Sequence, residues 1–464
     1  MPKAQAISTS LDNQEEGAER IVGDIGHNEA SIANGEEHNA RVLSILPIEL
    51  WLEILHHATF VPDILAPDIY HQTRTLGAYF NLDHHPMMLD ALYTKRSLVL
   101  VCKHWRGLCS SLLYQSIFIR DTKSLRALAG TLMRSHEESH QFSPGMGSLG
   151  SLTTRLDFAP TDWKPNSESD MTLLNQVIDY LPNLVIASFS MISQDIRLPA
   201  ITCSVADSLI SKSQHLRVID WSTQAPVPVP RNPWFELPFI HNPQLRMLGC
   251  IDAPLLPAVP APQAGGTRRS EDPFVRTNMR SLSIYGPFRD HGFCTYVTFP
   301  SLRELSCHLW KQSEGTAVAQ ERFFGRHGAN LAALHLQNYT SSPTDNTRDM
   351  LWVKERCPAL RNLTISVRDW RELPIDPANI PGIESLGLRC VREGLGLHQF
   401  KLLFSFIESL DAASSTLRVI QFLDPLNVAN MLQLGGGRKF IRNSVSRFKF
   451  RLEDCAGRSL KEYL

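Results

Sequence analysis

Leu302-Arg303-Glu304-Leu305-Ser306-Cys307, Leu331-Ala332-Ala333-Leu334-His335-Leu336 and Leu360-Arg361-Asn362-Leu363-Thr364-Ile365 share one pattern, apolar-x-x-apolar-x-apolar, at intervals of 29 residues. The same spacing occurs earlier at Leu184-Ala187-Phe189, Leu216-Ile219-Trp221, Leu245-Leu248-Cys250 and Met279-Leu282-Ile284. It continues at Ile383-Leu386-Leu388 and Leu417-Ile420-Phe422, and Thr153-Leu156-Phe158 is a weak early member. A single match of this length is expected by chance in apolar sequence. Recurrence at comparable spacing is the sign of a repeat array.

Successive gaps run from 23 to 34 residues with a mean of about 29, near the top of the range for leucine-rich repeats. Each pattern predicts a short strand whose alternate side chains point inward and stack on the next repeat. Amphipathic stretches between the patterns predict an outer layer: Leu173 to Leu181, Val205 to Ile210, Ala317 to Phe324, Met350 to Arg356 and Phe400 to Leu410. The expected fold class is an α/β repeat: a small all-α module followed by an irregular leucine-rich-repeat solenoid.

The expected organisation has five parts. Residues 1–40 are polar and acidic and read as a disordered tail. Residues 41–120 form a helical module with an insert at 61–96. Residues 121–150 read as a linker, because Ser135 to Gly150 is polar and glycine-rich. The solenoid occupies 151–425, and 426–464 is a cap or tail.

Two helices carry the module. In Leu46-Pro47-Ile48-Glu49-Leu50-Trp51-Leu52-Glu53-Ile54-Leu55, Pro47 suits the first helical position and Glu49 the positive end of the helix dipole. Polar residues are confined to Glu49, Glu53, His56 and His57, so the apolar arc is wider than a surface helix needs and must be covered from two sides. A second helix is expected from about Leu98 to Tyr114. There Leu98, Val101, Cys102, Trp105, Leu108, Cys109 and Leu112 recur at helical spacing. Within the insert, Met87 to Tyr93 reads as a short helix.

Lys plus Arg total 46 against 47 for Asp plus Glu, so the sum carries no bulk signal for nucleic acid or anionic membrane, although a local basic patch would be hidden in it. Nine scattered cysteines without a C-x-x-C pair read as buried free thiols in a reducing compartment. On that reading the sequons at Asn338 and Asn362 are chance matches. With neither a leader-like apolar run nor a stretch of about 18 apolar residues, cytoplasm or nucleus is the expected location.

Leu46-Pro47-Ile48-Glu49-Leu50 and Val101-Cys102-Lys103-His104-Trp105 resemble the two conserved halves of the F-box family, and Leu113 to Ile119 looks like the usual exit from that module. The intervening insert of about 35 residues is longer than the family's compact box. Inserts of this kind look typical of F-box-like proteins from mushroom-forming fungi. The resemblance implies docking on the Skp adaptor and, through it, on a cullin. Its adaptor-facing residues would be Leu46, Pro47, Leu50, Ile54, Leu98, Val101 and Trp105, with Trp51, Leu55, Cys102 and Leu108 in the module's own core. The repeats would hold an unidentified substrate protein.

Other motifs fail on context. Gly145-Met146-Gly147-Ser148-Leu149-Gly150 has no strand before it and no helix after it, and Gly435-Gly436-Gly437-Arg438-Lys439 lacks the order of a phosphate loop. The pairs His56-His57 and His84-His85 have no partner cluster at ligand spacing. Cys102, His104 and Cys109 do not share a helix face. The expectation is therefore a non-enzymatic substrate receptor of a ubiquitin ligase, with no metal, cofactor, nucleic-acid or membrane partner. A repeat scaffold not engaged in ubiquitination is the alternative.

Overall fold

The computed structural model describes residues 46–61, 84–142, 147–159, 168–189, 203–220, 244–249, 278–284, 297–309, 314–338, 343–374, 376–390, 395–433 and 447–463, with isolated pieces at 65, 274–275, 288, 294, 392, 442–443 and 445. The expected tail at 1–40, most of the insert and the Gly435 to Gly437 loop lie outside them. The chain divides into two units, residues 1–57 and 58–464.

The second unit is an α/β structure built on a long, all-parallel sheet of consecutive strands, consistent with a leucine-rich-repeat-like solenoid. Its strands are β1 (Ser116–Ile119), β2 (Arg155–Phe158), β3 (Ile186–Phe189), β4 (Val218–Asp220), β5 (Met247–Gly249), β7 (Ser281–Ile284), β9 (Glu304–Cys307), β10 (Ala333–Asn338), β11 (Asn362–Val367), β12 (Ser385–Cys390), β13 (Val419–Phe422) and β14 (Arg451–Glu453). They follow one another across the sheet in chain order. The short strands β6 (Phe274–Val275) and β8 (Val297–Thr298) pair with each other outside it.

Register explains why the sequence pattern recurs. Ile117, Leu156, Ala187, Ile219, Leu248, Leu282, Leu305, Leu334, Leu363, Leu386, Ile420 and Leu452 stand opposite one another strand by strand, forming one column. Most of the column is buried, Leu363 to 0% exposure. Two residues on, Ile284, Cys307, Leu336, Ile365, Leu388 and Phe422 make a second column. A shift of one residue at any strand would turn its apolar set to the wrong face, so the columns themselves hold the register.

Helices pack on this apolar face and share its core: α5 (Glu168–Asp179), α6 (Cys203–Lys212), α7 (Glu314–His327), α8 (Pro343–Arg356) and α9 (Leu397–Ala413). They coincide with the five amphipathic stretches. Phe323 and Phe324 of α7 meet Phe288, and Phe324 meets Trp352 of α8 edge-on at 4.7 Å, linking two repeats through aromatic contacts. Two glycines sit where backbones come close. A Cβ on Gly328 would lie 2.5 Å from the Arg356 carbonyl oxygen, and one on Gly150 would strike the Tyr180 carbonyl.

The array is longer at both ends than the expected span of 151–425. Tyr114-Ile117-Ile119 fits the repeat spacing, and β1 is the first strand of the sheet. Residues 122–142, expected within a linker, form the helix α4 (Thr122–Phe142). Asp121 accepts the Ser124 amide at 2.6 Å, and Leu125, Ala129 and Leu132 turn inward at helical spacing. At the other end β14 pairs with β13 although its equivalent positions read Lys449, Leu452 and Asp454, which hides the pattern. The remaining helices are α1 (Ile48–Thr59), α2 (His84–Val101), α3 (Lys103–Gln115) and α10 (Pro425–Gln433).

Candidate functional site

Helix α1 begins where Pro47 offers its carbonyl to the amides of Leu50 and Trp51, at 3.1 and 3.2 Å. Glu49 lies in the first turn, His56 and His57 in the last, as the dipole favours. Glu53 and His57 approach to 4.0 Å, with both side chains largely in solvent. Leu55 is buried and Trp51 half-buried on one stripe. On a helical projection Ile48 and Leu52 flank that stripe on one side and Leu50 and Ile54 on the other. Those four remain 49%, 37%, 45% and 49% exposed. The wide apolar arc thus has a covered centre and two uncovered edges.

In the second unit, the expected helix at Leu98 to Tyr114 is two helices. Cys102 adopts an extended conformation, and its sulfur accepts the Trp105 amide at 3.4 Å, capping α3. Continuous periodicity concealed this break because Cys102 keeps the spacing while leaving the helix. Leu98 and Val101 therefore end α2, three residues apart on one face, while Trp105 opens α3. The insert's Met87 to Tyr93 segment belongs to the longer α2.

Of the seven sequence-predicted residues, Pro47, Leu50, Ile54 and Val101 are exposed, and Leu46, Leu98 and Trp105 are half-buried. Leu46, Pro47, Leu50 and Ile54 lie together at the start of α1; Leu98, Val101 and Trp105 lie around the α2–α3 junction. Of the four expected core residues, Leu55 is buried, and Trp51, Cys102 and Leu108 are half-buried. Sequence reasoning left out Tyr93 and Leu100, 59% and 76% exposed on α2, and Phe60, 54% exposed just after α1. Leu100 could have been found from its place off the buried face.

A second polar cluster was not anticipated. It lies on the sheet face opposite the two apolar columns, where every other strand residue must point. His335 of β10 is bracketed by Ser306 of β9, 3.3 Å from Nδ1, and Ser366 of β11, 2.9 Å from Nε2. Burial, then the nearby Arg389 and His308, holds His335 down to about 3, and burial holds His308 down to about 4. Burial pushes the Glu304 carboxyl up to about 7, opposed by a hydrogen bond from Ser281. A neutral, enclosed imidazole between two hydroxyls ties three strands together; as a base at neutral pH it is too weak to activate either serine. Burial also pushes Cys357 up to about 12 and Cys390 up to about 11, so these thiols are poor nucleophiles. Among the described residues no group of three His, Cys, Asp or Glu side chains is placed to hold a metal, and no helix is long and apolar enough to cross a membrane.

No protein-family model matches the chain, and no curated protein matches it. Among solved structures it is similar to a protein of Bacteroides fragilis determined as a structural-genomics target. That match has 13% identity and a TM-score of 0.32, over 71% of this chain and 82% of the other. The fold assignment therefore stands on the strand order and register themselves.

Proposed function

We propose that the chain is the substrate-recognition subunit of a cullin-type ubiquitin ligase. It docks a Skp adaptor through α1; in the second unit, the residues around the α2–α3 junction are adaptor-facing candidates from the F-box resemblance, and the repeat array presents a target protein. The supporting observation is that Leu50 and Ile54 remain about half exposed on a helix that buries Leu55 completely. Water-exposed aliphatic side chains grouped in this way mark a surface awaiting a partner. Val101, 62% exposed at the end of α2, adds apolar area of the same kind. The chain performs no bond chemistry in this role. It raises the local concentration of target near a ubiquitin-charged enzyme.

The test is copurification. Wild-type protein should bring down a Skp adaptor and a cullin, and Leu50→Asp/Ile54→Asp should lose both while its thermal unfolding is unchanged. Unaltered capture by the double variant removes the proposed mechanism. A captured target whose half-life ignores that variant would favour the plain scaffold reading.

A further inference from the structure

At the start of the main-sheet strands the backbone forms a second ladder, one residue after the first buried apolar position of each repeat. The Arg246 amide donates to the Arg217 carbonyl at 2.8 Å, Arg280 to Arg246 at 2.8 Å, and Arg303 to Arg280 at 2.9 Å. The ladder runs on through Ala332, Arg361 and Glu384 to Arg418. Four adjacent strands, β4, β5, β7 and β9, thus each contribute an arginine, and two more follow within the next four strands. Arg280, Arg303, Arg361 and Arg418 are exposed; Arg217 and Arg246 are half-buried. Glu384 is the one carboxylate in the row.

Neighbouring strands are about 4.8 Å apart, so the row sets like charges side by side, with Glu384 between Arg361 and Arg418. The chain as a whole is balanced at a net charge of −1, so this concentration is local. Two residues before the row, Gln244, Asn278, Ser301 and Asn330 carry no charge, while Glu304 directly follows Arg303, whose guanidinium donates to the carbonyls of Pro300, Leu302 and Asn330. The backbone hydrogen bonds of the ladder hold these positions in line from strand to strand.

We propose that this arginine row is a docking surface for an acidic polypeptide segment, one rich in Asp and Glu lying across the strand starts. The argument is charge complementarity to a single-file row. A nucleic acid would also need aromatic platforms for its bases, and the residues just before and after the row supply none. Seven strand spacings of about 4.8 Å make about 34 Å, the length of about ten extended residues. In the ligase reading this names the target class, but the binding does not depend on adaptor docking.

The experiment titrates full-length protein, without adaptor, against fluorescein-labelled peptides of about ten residues, matched to that span. One is glutamate-rich, the other its glutamine counterpart. Saturable binding of the glutamate peptide alone is expected, weakening as salt rises. Arg217→Gln/Arg280→Gln/Arg361→Gln/Arg418→Gln should weaken it about tenfold or more. If that variant unfolds, single Arg280→Gln and Arg361→Gln proteins, each checked for native melting, should each weaken it measurably. Absent binding by wild type, equal binding of the glutamine peptide, folded variants that bind normally, or tighter binding of a single-stranded oligonucleotide of equal charge would overturn the proposal. Adaptor capture, measured separately, tests the ligase reading, so the two can fail independently.

Discussion

Leu363→Ala is the sharpest test of the repeat core. Leu363 lies at 0% exposure between Leu334 and Leu386 in the central apolar column. The substitution removes three carbon groups, worth about 2.4 kcal/mol at about 0.8 kcal/mol each, and the unfilled volume adds about 1–2 kcal/mol. The expected loss is therefore about 3–4.5 kcal/mol, a large share of the roughly 5–15 kcal/mol that holds a typical domain. Urea unfolding followed by circular dichroism should show the midpoint fall by about 1 M or more for a slope near 3 kcal/mol per M. Leu351→Ala on α8, where the side chain is 43% exposed, is the control and should cost under about 1 kcal/mol. If Leu363→Ala proved no worse than Leu351→Ala, the stacked columns would not be the source of stability.

Three further outcomes follow from the same structure. Glu304 is bound to its proton more tightly in the folded state, near 7 against an ordinary 4.5, so its contribution is full below pH 4.5 and lost as pH rises through 7. Glu304→Gln should then gain about 1–3 kcal/mol at pH 8 and little at pH 4, read from paired melting curves; equal gains at both would refute this. His335, His308 and His327 run the other way: burial lowers them from 6.5 to about 3, 4 and 4. Their stabilisation is present above pH 6.5 and drains as pH falls toward 4, so His335→Gln should flatten the acid limb of the stability profile, and an unchanged limb would count against it. Gly328→Ala brings a Cβ within 2.5 Å of a backbone oxygen and should cost about 1–3 kcal/mol in a thermal melt, whereas a neutral result would mean the repeats slide apart easily.

The repeat was legible because its inward positions must be apolar in every unit, and parallel register keeps them aligned. Legibility ended where other interactions substitute for that pattern. At β14 the equivalent positions are Lys449 and Asp454; Lys449 donates its amide to Asp411 of α9, and Asp454 is held by Arg458 and Tyr463, so polar bonds replace apolar stacking. At α4, three buried apolar residues suffice because Asp121 caps the helix and Arg126 pairs with Asp170 of α5 at 3.0 Å. A polar C-terminal half masked this signal. The break at Cys102 was invisible because a thiol serves equally as an apolar face residue and as a cap. For the candidate site, the surplus apolar arc of α1 was readable as an arc. Which side of it stays uncovered depends on packing. The His335 cluster arises from three strands about 30 residues apart, and pairwise proximity of that kind has no one-dimensional trace.

Hydrogen exchange of the full-length protein, with and without a purified Skp adaptor, tests the central functional claim most directly. Adaptor should slow exchange across residues 46–59 and around the α2–α3 junction, and Leu50→Asp/Ile54→Asp should abolish that protection. Protection confined to the repeat array, or none at any adaptor concentration, would contradict the assignment of α1 as the docking helix.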